Sequence, residues 1–596
     1  MILPFFFSCA LKQPQDPPPA ITASFSYVPA SPVVGQPIQF TDTSTGSPTS
    51  WEWAFGDGAT STTRNPSHTY TAAGSYGVTL TIRAGTDSDS ATRTVSVVAE
   101  GPGYFVDTAH PSANDSNPGT ESLPWKTISK ANQALVAGDT VYIKAGTYTT
   151  YIAPARSGTE SSRITYRAYG SDVVTIQNAS YGISLNGRSY ITVQGISFYN
   201  LDRFLYIENS ATHNIVASCN FDKMRTLAEW AGSRIINQSS HNWVHNCRFS
   251  KYGQISGTPP NGNSLGVVFE IGDEESSTDF SDYNFLEDNV MYHGGHHVLG
   301  VNSRYNVIRN NYFHNEGWLS GTGQRCVYAA GYAANSGWNL FEGNKFGYSE
   351  VGANGNMTEG IQISTSHNIF RKNGVYFNDS DGLLLSVSAS YYQDANYNHI
   401  YNNTFFYNNQ TDNPDPDNIG IFMGKWGGSW VIKYNAIKNN LYYGHAAAYA
   451  AYGVSLSDQT FANEFNGDVS GDPKFVNASA ALGDPMDASY PDLQLNAGSP
   501  CIDKGGALTT ITSPSGSGMS FKVTDAAYFM DGWGIAGVEG DEIQIVGTTQ
   551  KARITKVEYS TNTITVNTSI TWTQGQGIAL AYTGSAPDTG AHEYGR

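Results

Sequence analysis

The chain has 596 residues, too many for one ordinary domain, so several folded units are expected. Hydrophobic residues make up 39% and charged ones only 14%, with 62 glycines and 37 tyrosines, a profile of short strands and tight turns rather than helices. The excess of 51 acidic over 33 basic residues (net −18) argues against nucleic acid as a partner, because phosphate binding needs a basic surface.

In chain order, residues 1–20, "MILPFFFSCALKQPQDPPPA", hold a short apolar run ending at Cys9 and then a Pro/Gln-rich tether. This resembles the end of a bacterial lipoprotein signal, with Ser8 before a lipidated Cys9. It departs from that pattern at Phe6, where Leu is usual, and has no basic stretch in front. The resemblance implies export to the cell surface or beyond, with the Cys9 lipid as the one membrane contact; the alternative is a disordered tail. No apolar run reaches the roughly 18 residues of a membrane-spanning helix.

Residues 21–99 form a separate unit. "ASFSYVPASPVVGQPIQFTDTS" and "GSYGVTLTIRAG" alternate apolar and polar residues, as half-buried strands do. Between them "WEWAFGDGATSTTRNPSHTY" resembles the PKD domain, an immunoglobulin-like β-sandwich; Trp53, Phe55, Gly56, Asp57, Gly58, Asn65, Pro66, His68, Tyr70, Gly74 and Tyr76 fall in place. The resemblance implies a spacer or weak binder, with Asp57 and His68 as turn and packing residues.

Residues 103–505 carry a repeat: Asn, two apolar residues, two variable ones, Asn, any residue, then an apolar one. It reads "NFLEDNVM" from Asn284, "NVIRNNYF" from Asn306, "NLFEGNKF" from Asn339, "NIFRKNGV" from Asn368 and "NHIYNNTF" from Asn398. First asparagines stand at 214, 242, 284, 306, 339, 368, 398 and 435, and the shortest step, 22 residues, is about one turn of a three-sheet parallel β-helix. Equivalent residues of stacked coils then lie about 4.8 Å apart, so the asparagines form a ladder of amides and are architecture. In "NIVASCNF" and "NWVHNCRF" the second Asn position is held by Cys219 and Cys247, which stacking makes either a disulfide or two buried thiols. Cys326 and Cys501 read as unpaired core residues, and the spacings suggest no cysteine metal site.

The ends of the segment agree. "YFVDTAHPSANDSNPGTESLPWKTISKANQALVAGDTVYIKAGTY" (104–148) resembles the start of right-handed parallel β-helix polysaccharide lyases and their relatives, with "WKTISKANQAL" a helix capping the first coil. "GDPKFVN", "DLQLNAGSPCIDKG" and "DTGAHEYG" resemble their terminal coil. Residues 506–584 read as a small β-barrel-like insert, and 585–596 as a segment packing back on the β-helix. The predicted class is all-β. The fold resemblance does not name an activity, because this solenoid hosts lyases, hydrolases, epimerases and adhesins.

The chemistry must come from residues that the architecture does not need. Aligned on apolar positions, "HHVLGV", "QRCVYAA", "TEGIQIS" and "SDGLLLS" put His297, Arg325, Glu359 and Asp381 at one position of four successive coils. His314 and Glu316 are expected at the edge of the same solvent-facing groove, and His296 sits beside His297. The plain alternative is a surface ion-pair ladder. If the column is a site, uronate β-elimination suits it. Arg325 would bind the carboxylate, His297 or His314 would act as base, and Glu359 and Asp381 would hold Ca²⁺ against the same carboxylate. This resembles calcium-dependent β-helix lyases, but their usual Lys or Arg base has no matching motif; Lys372 and Lys425 are substitutes. A second reading makes Glu359 and Asp381 a retaining glycosidase pair. A third has no catalysis, only a glycan-binding or adhesin-like solenoid. There Trp318, Tyr328, Trp338, Tyr391, Tyr392, Trp426 and Trp430 would stack on sugars. The acidic loops at 272–282 and 411–418 lack calcium-loop spacing and read as solvated insertions.

Overall fold

The computed structural model describes residues 21–28, 32, 34, 37–44, 48, 50–85, 87–97, 103–224, 231–251, 266–273, 276, 278–314, 325–329, 336–349, 359–389, 393–408, 419–478 and 491–594. The chain divides into two units, 1–100 and 101–594, and Cys9 lies outside the described residues.

In the first unit a three-stranded and a four-stranded antiparallel sheet enclose Phe25, Phe40, Trp53, Phe55, Val78, Leu80 and Val95. The motif residues do structural work. The His68 ring stacks on Phe55 at 4.2 Å, its Nε2 lies 2.7 Å from Asp57 Oδ2, and the Tyr70 hydroxyl donates to the Phe55 carbonyl at 2.7 Å.

The second unit is a parallel β-helix of three long sheets, here sheet A (13 strands), sheet B (12) and sheet C (10). Each coil runs A, B, C and back to A, as in Ile191–Gln194, Ser197–Leu201, Arg203–Ile207 and Ile215–Ala217. The helix Ile128–Ala134, whose Thr127 cap accepts the Lys130 N–H at 3.2 Å, closes the first coil with Ile128 and Ala131 buried. That cover removes a bare sheet end that would otherwise template aggregation.

The asparagines fix the corners. Asn284 N–H donates to Asn306 Oδ1 at 2.8 Å, Asn306 N–H to Asn339 Oδ1 at 3.0 Å, and the chain of amides continues through Asn368, Asn398 and Asn435 to Gln459. A second ladder runs from Asn289 through Asn311, Asn344, Asn373, Asn403 and Asn440 to Glu464. At its top Cys219 N–H points at Cys247 Sγ (3.4 Å) and Cys247 N–H donates to Asn289 Oδ1 (2.9 Å). Both cysteines are free thiols, so they replace ladder amides with stacked sulfurs rather than a bridge.

Each first-ladder Asn follows a residue with left-handed backbone: His213, His241, Tyr283, Tyr305, Trp338, His367, Tyr397 and Tyr434 all have φ between 56° and 61°. Such φ is unfavourable for bulky residues, and here it lays their rings in one continuous stack, with centroid spacings from 4.2 to 6.0 Å.

The A-to-B corner is two residues in successive coils, for example 288–289, 310–311, 343–344, 372–373 and 402–403. Length variation falls on the two corners that flank sheet C: the B-to-C connections include 251–266, 315–324, 348–360 and 407–418, and the C-to-A ones 272–284 and 330–339.

The outer face of sheet A is covered by residues 509–580, a six-stranded antiparallel sheet. Thr512 N–H to the Lys522 carbonyl (2.9 Å) and Thr524 N–H to the Thr510 carbonyl (2.8 Å) join its outer strands, so it closes on itself. Phe285, Val307, Leu340 and Ile369 of sheet A share one core with Tyr528, Phe529, Met530 and Ile554. Arg371, fully buried, pins the contact with a fork onto Asp541 (2.8 and 2.6 Å), its Nε on Glu342 (3.0 Å) and a bond to the Tyr401 hydroxyl. Sheet B is covered lower down by Phe475, Leu493, Leu495 and Cys501, and Gly590 N–H donates to the Asn439 carbonyl (2.9 Å).

Candidate functional site on sheet C

Sheet C is flanked by the long connections, and connections on a rigid scaffold are where binding groups are usually mounted. Its strands pair Val267 with His297, and His297 with Arg325. Val327 pairs with Ile361, and Ile361 with Leu383, so Glu359 and Asp381, two residues earlier, follow Arg325 in the same column. Backbone bonds confirm the spacing: Cys326 N–H reaches the Glu359 carbonyl at 3.4 Å, and Gly360 N–H the Asp381 carbonyl at 3.2 Å.

Val298, Leu299 and Val301 face the core, whereas Gly300 faces out beside His297. A Cβ at Gly300 would sit 2.8 Å from His297 Nε2, so the glycine leaves room for the imidazole to lie over the sheet. Arg325 Nε is 3.2 Å from Glu359 Oε2, its Nη1 is 3.3 Å from His296 Nε2, and His296 Nδ1 is 2.8 Å from His297 Nδ1. Tyr328 closes the group: its ring lies 5.5 Å from that of His297, with the Arg325 guanidinium 5.3 Å over it.

These contacts set the proton positions. Burial and then the Arg325 charge push His296 down to about 3, and burial, His296 and Arg325 hold His297 well below its usual value. Both imidazoles are therefore neutral at pH 7. The guanidinium can only donate, so His296 Nε2 accepts and its Nδ1–H donates to His297 Nδ1. That tautomer leaves the remaining proton on His297 Nε2, a buried atom with no hydrogen-bond partner among the described residues. His297 is thus arranged as a donor, not as the base that the sequence suggested.

The other expectations divide. The groove is not solvent-facing: His297 is 0% exposed and Glu359 and Asp381 are each 1%. His314 is not brought to the column; it ends a strand of sheet B, with its ring on Tyr292 at 4.7 Å and Tyr312 at 4.6 Å. Glu316, Trp318, Tyr391, Tyr392 and the loop 411–418 lie outside the described residues. Lys372 is at an A-to-B corner, 3.9 Å from Glu342, and Lys425 pairs with Val387, six residues along its strand from the column position held by Ile419. Glu359 and Asp381 do not fit a calcium cage, which needs six to eight oxygens. Glu359 is already matched by Arg325, Asp381 accepts the Ile419 N–H at 3.2 Å, and no group of three or more acidic, His or Cys ligands gathers among the described residues. A carboxylate held by a guanidinium is equally unsuited to be the acid of a glycosidase pair. In the 272–282 loop, Asp279 accepts the N–H groups of Asn237, Gln238 and Asp273, so it ties the loop down.

Sequence reasoning missed a neighbouring pair. Arg234 and Glu270 pair in the next outward column, which continues through Gly300, Tyr328 and Gln362. Arg234 Nε is 3.0 Å from Glu270 Oε2, and Asn302 Nδ2 donates to Oε1 at 3.3 Å. The available signal was a charge inside each of two otherwise apolar strands, "AGSRI" and "VVFEI".

Comparison with known proteins agrees with the architecture. Residues 16–99 match the PKD domain family, and residues 104–264 match the family described as Pel9A-like, right handed beta helix region. Uncharacterized protein YwoF of Bacillus subtilis (strain 168) is 27% identical over 146 residues, a match spanning 22% of this chain and only 31% of that relative's length. Among solved structures the chain is similar to pectate lyase Pel9A (15% identity, 82% of this chain and 96% of that one, TM-score 0.41). It is also similar to a rhamnogalacturonan lyase (16% identity, 66% and 95%, TM-score 0.41). The protein carries a PKD domain followed by a right-handed parallel β-helix of the Pel9A-like kind.

Proposed function

We propose that the outer face of sheet C binds a uronic-acid polysaccharide and cleaves it by β-elimination, in a protein that works outside the cell, held there by a lipid on Cys9. The observation that carries this reading is the joined group Arg325–His296–His297–Tyr328: a guanidinium, a proton relay ending in an Nε2–H with no partner among the described residues, and a phenol. Arg325 supplies the charge that a uronate carboxylate needs. His297 Nε2–H donates to the carboxylate oxygen as the enolate develops, where a preset donor counts most. The reading requires Tyr328 to lose its phenolic proton first; with the Arg325 guanidinium 5.3 Å over its ring, the ionised Tyr328 then takes the proton alpha to the carboxylate. The electron pair forms the double bond, the bond from the beta carbon to the glycosidic oxygen breaks, and that oxygen takes the proton back from Tyr328. No water is consumed.

The test is a panel of uronic-acid polysaccharides read by absorbance of the unsaturated product. Arg325→Ala and Tyr328→Phe should each lower kcat/KM by at least about a hundredfold. Full activity in either variant, or no product from any polymer, would sink the elimination. One observation favours a second reading: the charged groups are closed on one another and nearly solvent-free, as in a structural network under a non-catalytic glycan-binding face. Retention of the protein by a polymer without turnover would select that reading.

A further inference from the structure

At the C-terminal end of sheet C, Trp426 closes the eight-residue strand Ile419–Trp426 and folds back over Gly424. A Cβ on Gly424 would overlap the indole, so the ring lies flat against the backbone only because residue 424 has no side chain. Trp426 is nonetheless 41% exposed. Gly424 pairs with Tyr452 in the next coil, which is 61% exposed, and Phe422 lies 6.2 Å from the indole. Ser386 pairs with Gly424 on the other side, and its hydroxyl joins Ser364 (2.9 Å) and Gln362 in a buried polar row that fixes the strand beneath the rings. Among the described residues, seven aromatics are exposed, and five of them (Tyr397, Tyr407, Trp426, Tyr434 and Tyr452) fall between 397 and 452.

We propose that Trp426, with Tyr452, is a sugar-stacking platform: it holds a pyranose ring of the polysaccharide by its apolar face. The two rings expose on the order of 200 Å², far below the roughly 1,200 Å² of a stable protein partner and suited to a sugar ring. A flat, exposed aromatic floor matches the apolar face of a pyranose. The inference rests on sheet C being a glycan face and does not need elimination to occur there.

The experiment is affinity electrophoresis of the full chain in gels containing polygalacturonate, alginate or a neutral galactan, beside the absorbance assay on a short oligosaccharide. The wild type is expected to be retarded by one polymer. Trp426→Ala should weaken that binding roughly fivefold or more, Trp426→Phe should keep most of it, and Gly424→Ala, which displaces the ring, should match Trp426→Ala. Equal retardation of wild type and Trp426→Ala, or no retardation of the wild type by any polymer, overturns the platform. Retardation that depends on Trp426 without any unsaturated product supports the platform and overturns the elimination instead.

Discussion

Glu464 ends the second ladder where Gln459 ends the first, and the difference makes a pH-dependent weak point. Asn440 N–H donates to Glu464 Oε1 at 3.2 Å and the Tyr442 hydroxyl to Oε2 at 2.6 Å; at the matching place Asn435 N–H donates to Gln459 Oε1 at 3.0 Å. Burial lifts the Glu464 carboxyl from 4.5 to about 8, against the hydrogen bonds from Tyr442 and Asn440 that oppose the rise. The folded state thus keeps a proton that the unfolded state gives up above about 4.5. Its stabilising effect is complete below that pH, falls through the window from 4.5 to 8, and is gone above it. The full shift corresponds to about 5 kcal/mol. The side chain keeps some contact with water, so about 2 kcal/mol is the realistic figure. Glu464→Gln copies the first ladder and cannot ionise. It should match wild type near pH 5 and exceed it by about 2 kcal/mol at pH 9. A solenoid need not unfold in one step, so the readout is hydrogen exchange at the Asn440 amide, with urea midpoints in support. A gap between the two proteins that is the same at pH 5 and pH 9 would refute the reasoning.

Other outcomes follow from the same contacts. Arg325→Ala strands the Glu359 carboxylate, which is 1% exposed, and should cost about 3–5 kcal/mol in urea unfolding; adding Glu359→Gln should restore most of it. Arg371→Ala leaves Asp541 and Glu342 without their buried partner, so limited proteolysis should cut within 509–580 well before the β-helix. Cys247→Asn would hand Cys219 N–H an amide oxygen in place of sulfur, with a gain of about 1 kcal/mol in thermal unfolding. Peptide mapping without reduction should find Cys219 and Cys247 unbridged.

The ladder was legible because an inward amide at a fixed corner tolerates little else, so Asn306 and Asn339 recur in plain sight. The site column was legible because Leu299, Val327, Ile361 and Leu383 fill one interior row and carry their neighbours into register. What stayed hidden depends on which way a side chain turns. His314 looked adjacent to Arg325 in sequence but belongs to another sheet, since a corner and a long connection separate them. The proton on His297 Nε2 follows from a contact chain through His296 to Arg325 that no spacing encodes. The fork from Arg371 to Asp541 spans 170 residues, and nothing local in "NIFRKNGV" announces it.

The ladder bonds also say how such a protein can change over evolutionary time. The hydrogen bond from Asn284 to Asn306 crosses 22 residues and that from Asn242 to Asn284 crosses 42, yet the two have nearly the same length, 2.8 and 3.0 Å. Nearly doubling the intervening chain adds only about 0.6 kcal/mol of closure entropy. Segments can therefore be spliced in or trimmed at the corners beside sheet C while the two-residue A-to-B corner holds the coils from Ile191 onward in phase. A lineage can in this way alter the walls beside sheet C by insertion and deletion, leaving the scaffold beneath untouched.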